Sequence, residues 1–305
     1  MKAIDESIDR QDSISHVRGV VLVLMAGVIW SSIGVGVRSI EQANVWQILF
    51  YRSLAMSLFL FILISLRSRY RPVQRIRQAG FPGVIGGAVL VVAFAGGIHA
   101  IQTTTVANAM FLFAAAPFIA AVLGLIVLGE RVRRATWIAM VFAFLGVFLM
   151  VMQGVSTGRL EGNIAALLSA VGFAMFTIVL RWKKLQDMLP AIFIAGLLAM
   201  VVSSSISIVQ GYGLSIPARD VLISLALGVF QVGLGLAAYT TGSRVVPAAE
   251  LALLAKTEVL LAPLWVWLYF GETASSYTLM GGTVILIAIA GNAISGLRHK
   301  TLPVL

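Results

Sequence analysis

Long apolar runs separated by short polar stretches fill this chain, and their lengths predict helices that cross a bilayer. Ten runs predict helices over residues 19–38, 44–66, 81–102, 105–128, 135–152, 162–181, 190–210, 221–243, 246–269 and 277–297. A spanning helix needs about 20 predominantly apolar residues. Ten of that length leave no stretch long enough for a folded soluble domain. The predicted fold class is an all-α integral membrane protein with ten transmembrane helices.

The first and sixth runs are copies of one another. GVVLVLMAGVIWSSIGVGVR (Gly19–Arg38) lies over GNIAALLSAVGFAMFTIVLR (Gly162–Arg181) without a gap, placing Trp30 on Phe173 and Arg38 on Arg181. Each copy opens a set of five helices. Five is odd, so the second copy enters the membrane from the opposite side. The pattern predicts two inverted five-helix repeats, 19–152 and 162–297, with an outer linker over 153–161 and polar tails over 1–18 and 298–305. Inverted repeats are typical of secondary transporters, whose substrate sites lie near the midplane where the halves meet.

Charge orients the bundle. With the N-terminus inside, 17 of the 22 Lys and Arg residues fall on the cytoplasmic side, including Arg67, Arg69, Arg71, Arg75 and Arg77. Only Arg38, Arg159 and Arg219 fall outside, and Arg52 and Lys256 lie within helices. That asymmetry predicts a multi-pass protein of the bacterial inner membrane with both termini cytoplasmic.

Composition narrows the function classes. Charged residues make up 11 %, against about 25 % in soluble domains, and mean hydropathy is +1.00. The net charge of +10 sits between apolar runs and predicts no nucleic-acid partner. The polar N-terminus lacks the apolar core of a signal peptide. With no cysteine, disulfides and thiolate metal sites are excluded. Metal-ligand spacing, a P-loop and a serine nucleophile elbow are absent, so no metal, cofactor or enzymatic activity is expected. A membrane-embedded enzyme would need acid, base and nucleophile at one depth, and His99 has no evident acidic companion along the chain.

Several polar and aromatic residues fall at depth. Trp30 and Phe173 are repeat-related and reach the midplane from opposite faces; they either wall a central cavity or pack as ordinary core. Gln231 and Lys256 fall at similar depth, and Lys256 reads as an anchor for a substrate carboxylate or as a partner for a buried acid. Arg52 and Glu258 match in depth, which predicts either a structural ion pair or a coupling carboxylate at Glu258. Lys256 and Glu258, two residues apart on a regular helix, would point about 200° apart. His99 and Asn108 flank the connection between the third and fourth helices, as a corner hydrogen bond or as an outer gate. Tyr239 and Tyr51 are weaker candidates.

The repeat ends carry a further signature. The fourth helix closes as AAAPFIAAVLGLIVLGE (Ala114–Glu130) and the ninth as AKTEVLLAPLWVWLYFGE (Ala255–Glu272), each on Gly-Glu. With WSS at Trp30–Ser32 and Arg52 early in the second helix, the chain resembles the drug/metabolite transporter superfamily, EamA type. That family often shows Glu-Pro in both repeats; here Ala116-Pro117 keeps the proline and Glu258-Val259 the acid. Length and layout are similar to the YddG-type amino-acid exporters. The resemblance implies a monomeric exporter of aromatic or other neutral amino acids and related small metabolites, with the bilayer as its other partner. The alternative cargo is a nucleotide sugar, a phosphorylated metabolite or a drug. A di-anionic phosphate wants several buried bases, and only Lys256 and Arg52 are on offer.

Overall fold

The computed structural model describes residues 2–183 and 187–298. Lys184, Lys300 and the tail beyond Arg298 lie outside the described residues. Span 1 comprises α1 (Lys2–Ser31) and α2 (Ile33–Arg38), followed by α3 (Val45–Arg67) as span 2 and α4 (Pro72–Thr103) as span 3. Span 4 is α5 (Val106–Phe113) with α6 (Ala116–Leu128), span 5 is α7 (Arg134–Ser156), span 6 is α8 (Leu160–Trp182) and span 7 is α9 (Leu189–Val209). Span 8 runs through α10 (Ala218–Ala226), a π-helical stretch Leu227–Leu234 and α11 (Gly235–Gly242). Span 9 is α12 (Ala248–Leu254) with α13 (Thr257–Phe270), and span 10 is α14 (Ser276–Arg298).

Apolar side chains face outward along these spans. Phe144 is 68 % exposed and Ile126 72 %, a distribution that water would penalise and lipid accepts. Small residues line the inner faces instead. A Cβ on Gly172 would come within 2.8 Å of the Val89 carbonyl, and one on Gly96 within 2.8 Å of the Ala165 carbonyl, so spans 3 and 6 meet backbone to backbone. Gly146 and Gly281 do the same for spans 5 and 10. Such approach lets dispersion and close packing hold helices that gain no hydrophobic energy from leaving lipid.

The packing repeats itself. Span 3 packs on span 6 as span 1 packs on span 8, and span 4 on span 6 as span 9 on span 1. Spans 2 and 7, and spans 5 and 10, pair with their own repeat mates. Every major interface therefore occurs twice or lies on the pseudo-axis. The fold is two inverted five-helix repeats interlocked through spans 1, 3, 6 and 8.

Two elements extend beyond the apolar runs. The first helix starts at Lys2, well ahead of residue 19. Span 3 starts at Pro72, and Gly80 with φ +53° breaks it before Pro82. The segment ahead of that break sits on its partly buried Ile76 and buried Ala79, with Arg71, Arg75 and Arg77 exposed. Hydropathy missed it because only one of its faces is apolar. Below, the end holding Arg67–Arg77 and Arg131–Arg134 is called the basic end, and the other the far end.

Candidate functional site

The Gly-Glu endings become intelligible from the backbone. Gly129 and Gly271 terminate α6 and α13 in the left-handed region, at φ +67° and +65°. Glycine adopts that conformation without the Cβ clash other residues meet. The turn delivers each following glutamate to an arginine of the other repeat. Glu272 pairs with Arg38 at 2.8 Å at the far end, and Glu130 pairs with Arg181 at 2.6 Å at the basic end. Arg38 and Arg181 are the matched last residues of the copied segment.

The two latches differ in strength. Glu272 Oε1 also accepts the Val106 N–H at 2.6 Å, and the Arg38 guanidinium donates to the Thr104 carbonyl at 2.7 Å. Both atoms belong to the connection between spans 3 and 4. The far-end side chains are 25 % and 20 % exposed, against 48 % and 39 % at the basic end. Screening by water therefore weakens the Arg181–Glu130 pair more.

Spans 4 and 9 are both broken near mid-length, at Ala114–Ala115 and at Ala255–Lys256. Lys256 is the N-cap residue of α13, with φ −78° and ψ −3°. The break falls ahead of Thr257, and no ion pair joins Lys256 to Glu258 among the described residues. Trp30 packs on Tyr239 with ring centroids 5.2 Å apart. Glycine at Gly27 and Gly235 lets span 1 approach: a Cβ on Gly27 would come within 3.1 Å of Thr257. The sequence ranked Tyr239 low because nothing along the chain links span 8 to span 1.

Trp30 and Phe173 do not stack on one another. Phe173 makes an edge contact with Phe113 at 5.6 Å, beside the break in span 4, and lies 6.3 Å from Phe176. Thus Trp30 packs on span 8, while Phe173 lies beside the break in span 4.

Arg52 and Glu258 form no ion pair. Arg52 is 4 % exposed and its guanidinium lies 4.7 Å from the centroid of the Phe94 ring. Its Nε has no hydrogen-bond partner, and no acid pairs with it among the described residues. Equal depth along two helices did not translate into lateral proximity. An arginine at the bilayer centre costs at least about 2.5 kcal/mol; a desolvated cation over an aromatic face returns about 2 kcal/mol or more, but the ring offers the guanidinium no hydrogen-bond acceptor. Gln231, on the π-helical stretch of span 8, is buried with Oε1 unpartnered.

The far-end corner is denser than the chain suggested. His99 Nε2 meets Glu161 Oε1 at 2.7 Å, so the histidine has an acidic companion after all, contributed by span 6. Asn108 donates to Thr104 Oγ1 at 3.2 Å and bonds Asn163, which in turn donates to the Met150 carbonyl at 3.2 Å. Ser275 and Thr278 bond Gln153 beside them, and Thr104, Asn108, Gln153 and Thr278 line a cavity of about 20 Å³. Both Asn108 and His99 make corner contacts in this structure. Asp220, not singled out from the sequence, is 1 % exposed and accepts the N–H groups of Glu41, Gln42 and Ala43, at 2.9 Å and 3.0 Å for the last two. Tyr51 donates to the Leu214 carbonyl at 2.8 Å, a loop contact at the same end.

The EamA-like transporter family model matches this chain twice, over residues 17–152 and again over 160–294. The chain belongs to the EamA-like transporter family. The double match gives each repeat the same ancestry and agrees with the paired interfaces. Among curated relatives of this transporter is the pseudopaline exporter CntI of Pseudomonas aeruginosa, from strains UCBPP-PA14 and PAO1. It is 23 % identical over 271 residues, covering 88 % of this chain and 94 % of CntI. A solved crystal structure superposes with a TM-score of 0.65 at 18 % identity, over 92 % of this chain and 99 % of that one. That likeness shows the fold.

Proposed function

We propose that this chain is a monomeric inner-membrane exporter of small zwitterionic metabolites, neutral or aromatic amino acids first among them. The observation that carries the reading is the cluster at the break in span 9. There an aromatic pair, Trp30–Tyr239, stands about one turn from Gly27, against which Thr257 and the Glu258 backbone of span 9 pack. Aromatic faces suit an apolar side chain, and the neighbouring carboxylate of Glu258 suits an ammonium. The basic end is read as cytoplasmic on the positive-inside rule, with both termini on that side. A relative named as an exporter supports outward movement of a metabolite. A phosphorylated cargo is less well served, because the buried bases are single and separate.

The halves work by alternating access: one latch opens while the other holds. Proteoliposomes preloaded with a mixed amino-acid pool test the reading, with and without a pH gradient. Selective efflux by the wild type, lost in a correctly inserted Trp30→Ala variant, is the expected result. No amino-acid movement from folded protein rejects the cargo. Because the native chain has no cysteine, thiol crosslinks across Arg38→Cys/Glu272→Cys or Arg181→Cys/Glu130→Cys test the mechanism. Either crosslink should stop transport, and undiminished transport through both would reject alternating access.

A further inference from the structure

Buried side-chain atoms without hydrogen-bond partners fall mainly on two neighbouring spans, with Ser57 turned toward Gly196 of span 7. Among the described residues there are six: Asn44 Nδ2, Arg52 Nε, Ser53 Oγ, Ser57 Oγ, Ser224 Oγ and Gln231 Oε1. All but Asn44, at the helix cap, lie within spans 2 and 8. These spans pack together, and Gly228 sits against the Arg52 backbone with Ser224 and Gln231 about one turn to either side. Gln231 lies on the π-helical stretch Leu227–Leu234 of span 8, a geometry that recurs at functional sites because it re-aims side chains at a cost in regular hydrogen bonding.

An unpartnered polar interface inside a membrane is destabilising, so a static bundle has no use for it. No acid pairs with Arg52 among the described residues, which leaves it a buried charge without a counter-ion. The Phe94 face returns part of its lost hydration and supplies no acceptor. A planar carboxylate would supply two, matched to the guanidinium fork.

We propose that spans 2 and 8 form a carboxylate-binding station, in which Arg52 takes the substrate carboxylate and Gln231 adds a hydrogen bond. The station rests on the transport reading above and names which buried cation holds the acid group. It assigns Arg52, in place of Lys256, as the anchor. Arg52 is closed over in this structure, so the station is reached when the spans part. Phe94 holds the guanidinium in position while the site is empty.

The test separates an anchor from a structural residue by moving stability and binding in opposite directions. Purified wild type, Arg52→Met and Arg52→Lys are melted alone and with phenylalanine, phenylalanine amide or benzoate, and each is assayed for efflux. Removal of an uncompensated buried charge leaves folding intact or improves it, so Arg52→Met should melt at or above the wild-type temperature. It should lose the stabilisation that phenylalanine and benzoate give the wild type, with apparent affinity at least about tenfold weaker, and Arg52→Lys should fall between. The amide, lacking the carboxylate, should not stabilise any of them. A lower melting temperature in Arg52→Met, or stabilisation by phenylalanine unchanged in it, overturns the station. Should benzoate protect only proteins that keep Arg52 while no amino acid is exported, the station stands and the proposed cargo falls.

Discussion

Arg38 and Glu272, 234 residues apart, meet at 2.8 Å and together grip the connection between spans 3 and 4 through the Thr104 carbonyl and the Val106 N–H. The repeat turns this contact into a pair of contacts, since Arg181 and Glu130 occupy the matching positions at the opposite end. Each pair joins the last residue of one copied helix to the Gly-Glu ending of the other repeat. A rocking of one half against the other must therefore break one latch or the other.

The latches should differ in thermodynamic weight. Arg38→Gln removes a half-buried ion pair and leaves the Thr104 carbonyl and Glu272 short of a donor; a charged hydrogen bond of this kind contributes about 1.5–3 kcal/mol. Arg181→Gln removes an exposed pair worth under about 1 kcal/mol. Thermal melting of the two purified variants should show the larger fall for Arg38→Gln. Equal shifts would mean that the extra far-end contacts contribute nothing.

Much of this architecture was legible in the chain. Gly19–Arg38 aligned on Gly162–Arg181, and the Gly-Glu endings repeated, so the duplication and its inversion followed from counting helices. What pairs with what did not follow. The alignment set Arg38 on Arg181, and the Gly-Glu endings matched Glu130 to Glu272, yet neither carried a sign that each arginine reaches the other repeat. Depth along a helix predicted an Arg52–Glu258 pair, but depth is one coordinate of three. The break at Lys256 also escaped notice, because the residues around it (Leu254, Ala255, Thr257) read as ordinary helix formers. Asp220 looked like one more polar residue at a helix start, and its role depends on a loop that lies far away in sequence.

The glycine substitutions should divide into two kinds. Gly129 and Gly271 have positive φ, and no atom lies within 4 Å of a Cβ added to either. Gly129→Ala and Gly271→Ala should each lower stability by about 1 kcal/mol through backbone conformation alone. Gly172 has ordinary helical geometry but no room, so Gly172→Leu must drive spans 3 and 6 apart. Fluorescence-detected size exclusion should show a monodisperse peak for the first two variants and loss of folded protein for the third. A monodisperse Gly172→Leu would contradict the close approach.

Asp220 should matter for folding far more than its neighbour. Its carboxylate satisfies three N–H groups of the loop after span 1, and Asp220→Ala leaves them without acceptors, at about 1–3 kcal/mol for each group that stays buried. Arg219 and Glu41, paired beside it but 61 % and 64 % exposed, should contribute within about 0.5 kcal/mol. Folded yield after detergent extraction at rising temperature should fall sharply for Asp220→Ala and stay near wild type for Arg219→Gln. Comparable losses would place the anchor elsewhere.

Asn163 poses the sharpest test of the far-end corner. It is fully buried, donates to the Met150 carbonyl, and accepts from Thr104 at 3.2 Å and from Asn108. Asn163→Leu leaves those groups with a leucine beside them, and one unsatisfied buried polar group costs about 1–3 kcal/mol. Asn108→Leu should do comparable harm, since Asn163 then loses one of its two donors and Thr104 Oγ1 loses the Asn108 amide. Because the two amides form one network, the double variant should be less destabilised than the sum of the singles, by about 0.5–3 kcal/mol in a thermal or denaturant melt. The cavity of about 20 Å³ beside them admits a single water, which softens the single substitutions without abolishing the coupling. Strict additivity would show that the two asparagines act independently, and that the corner is held by helix packing instead of by this network.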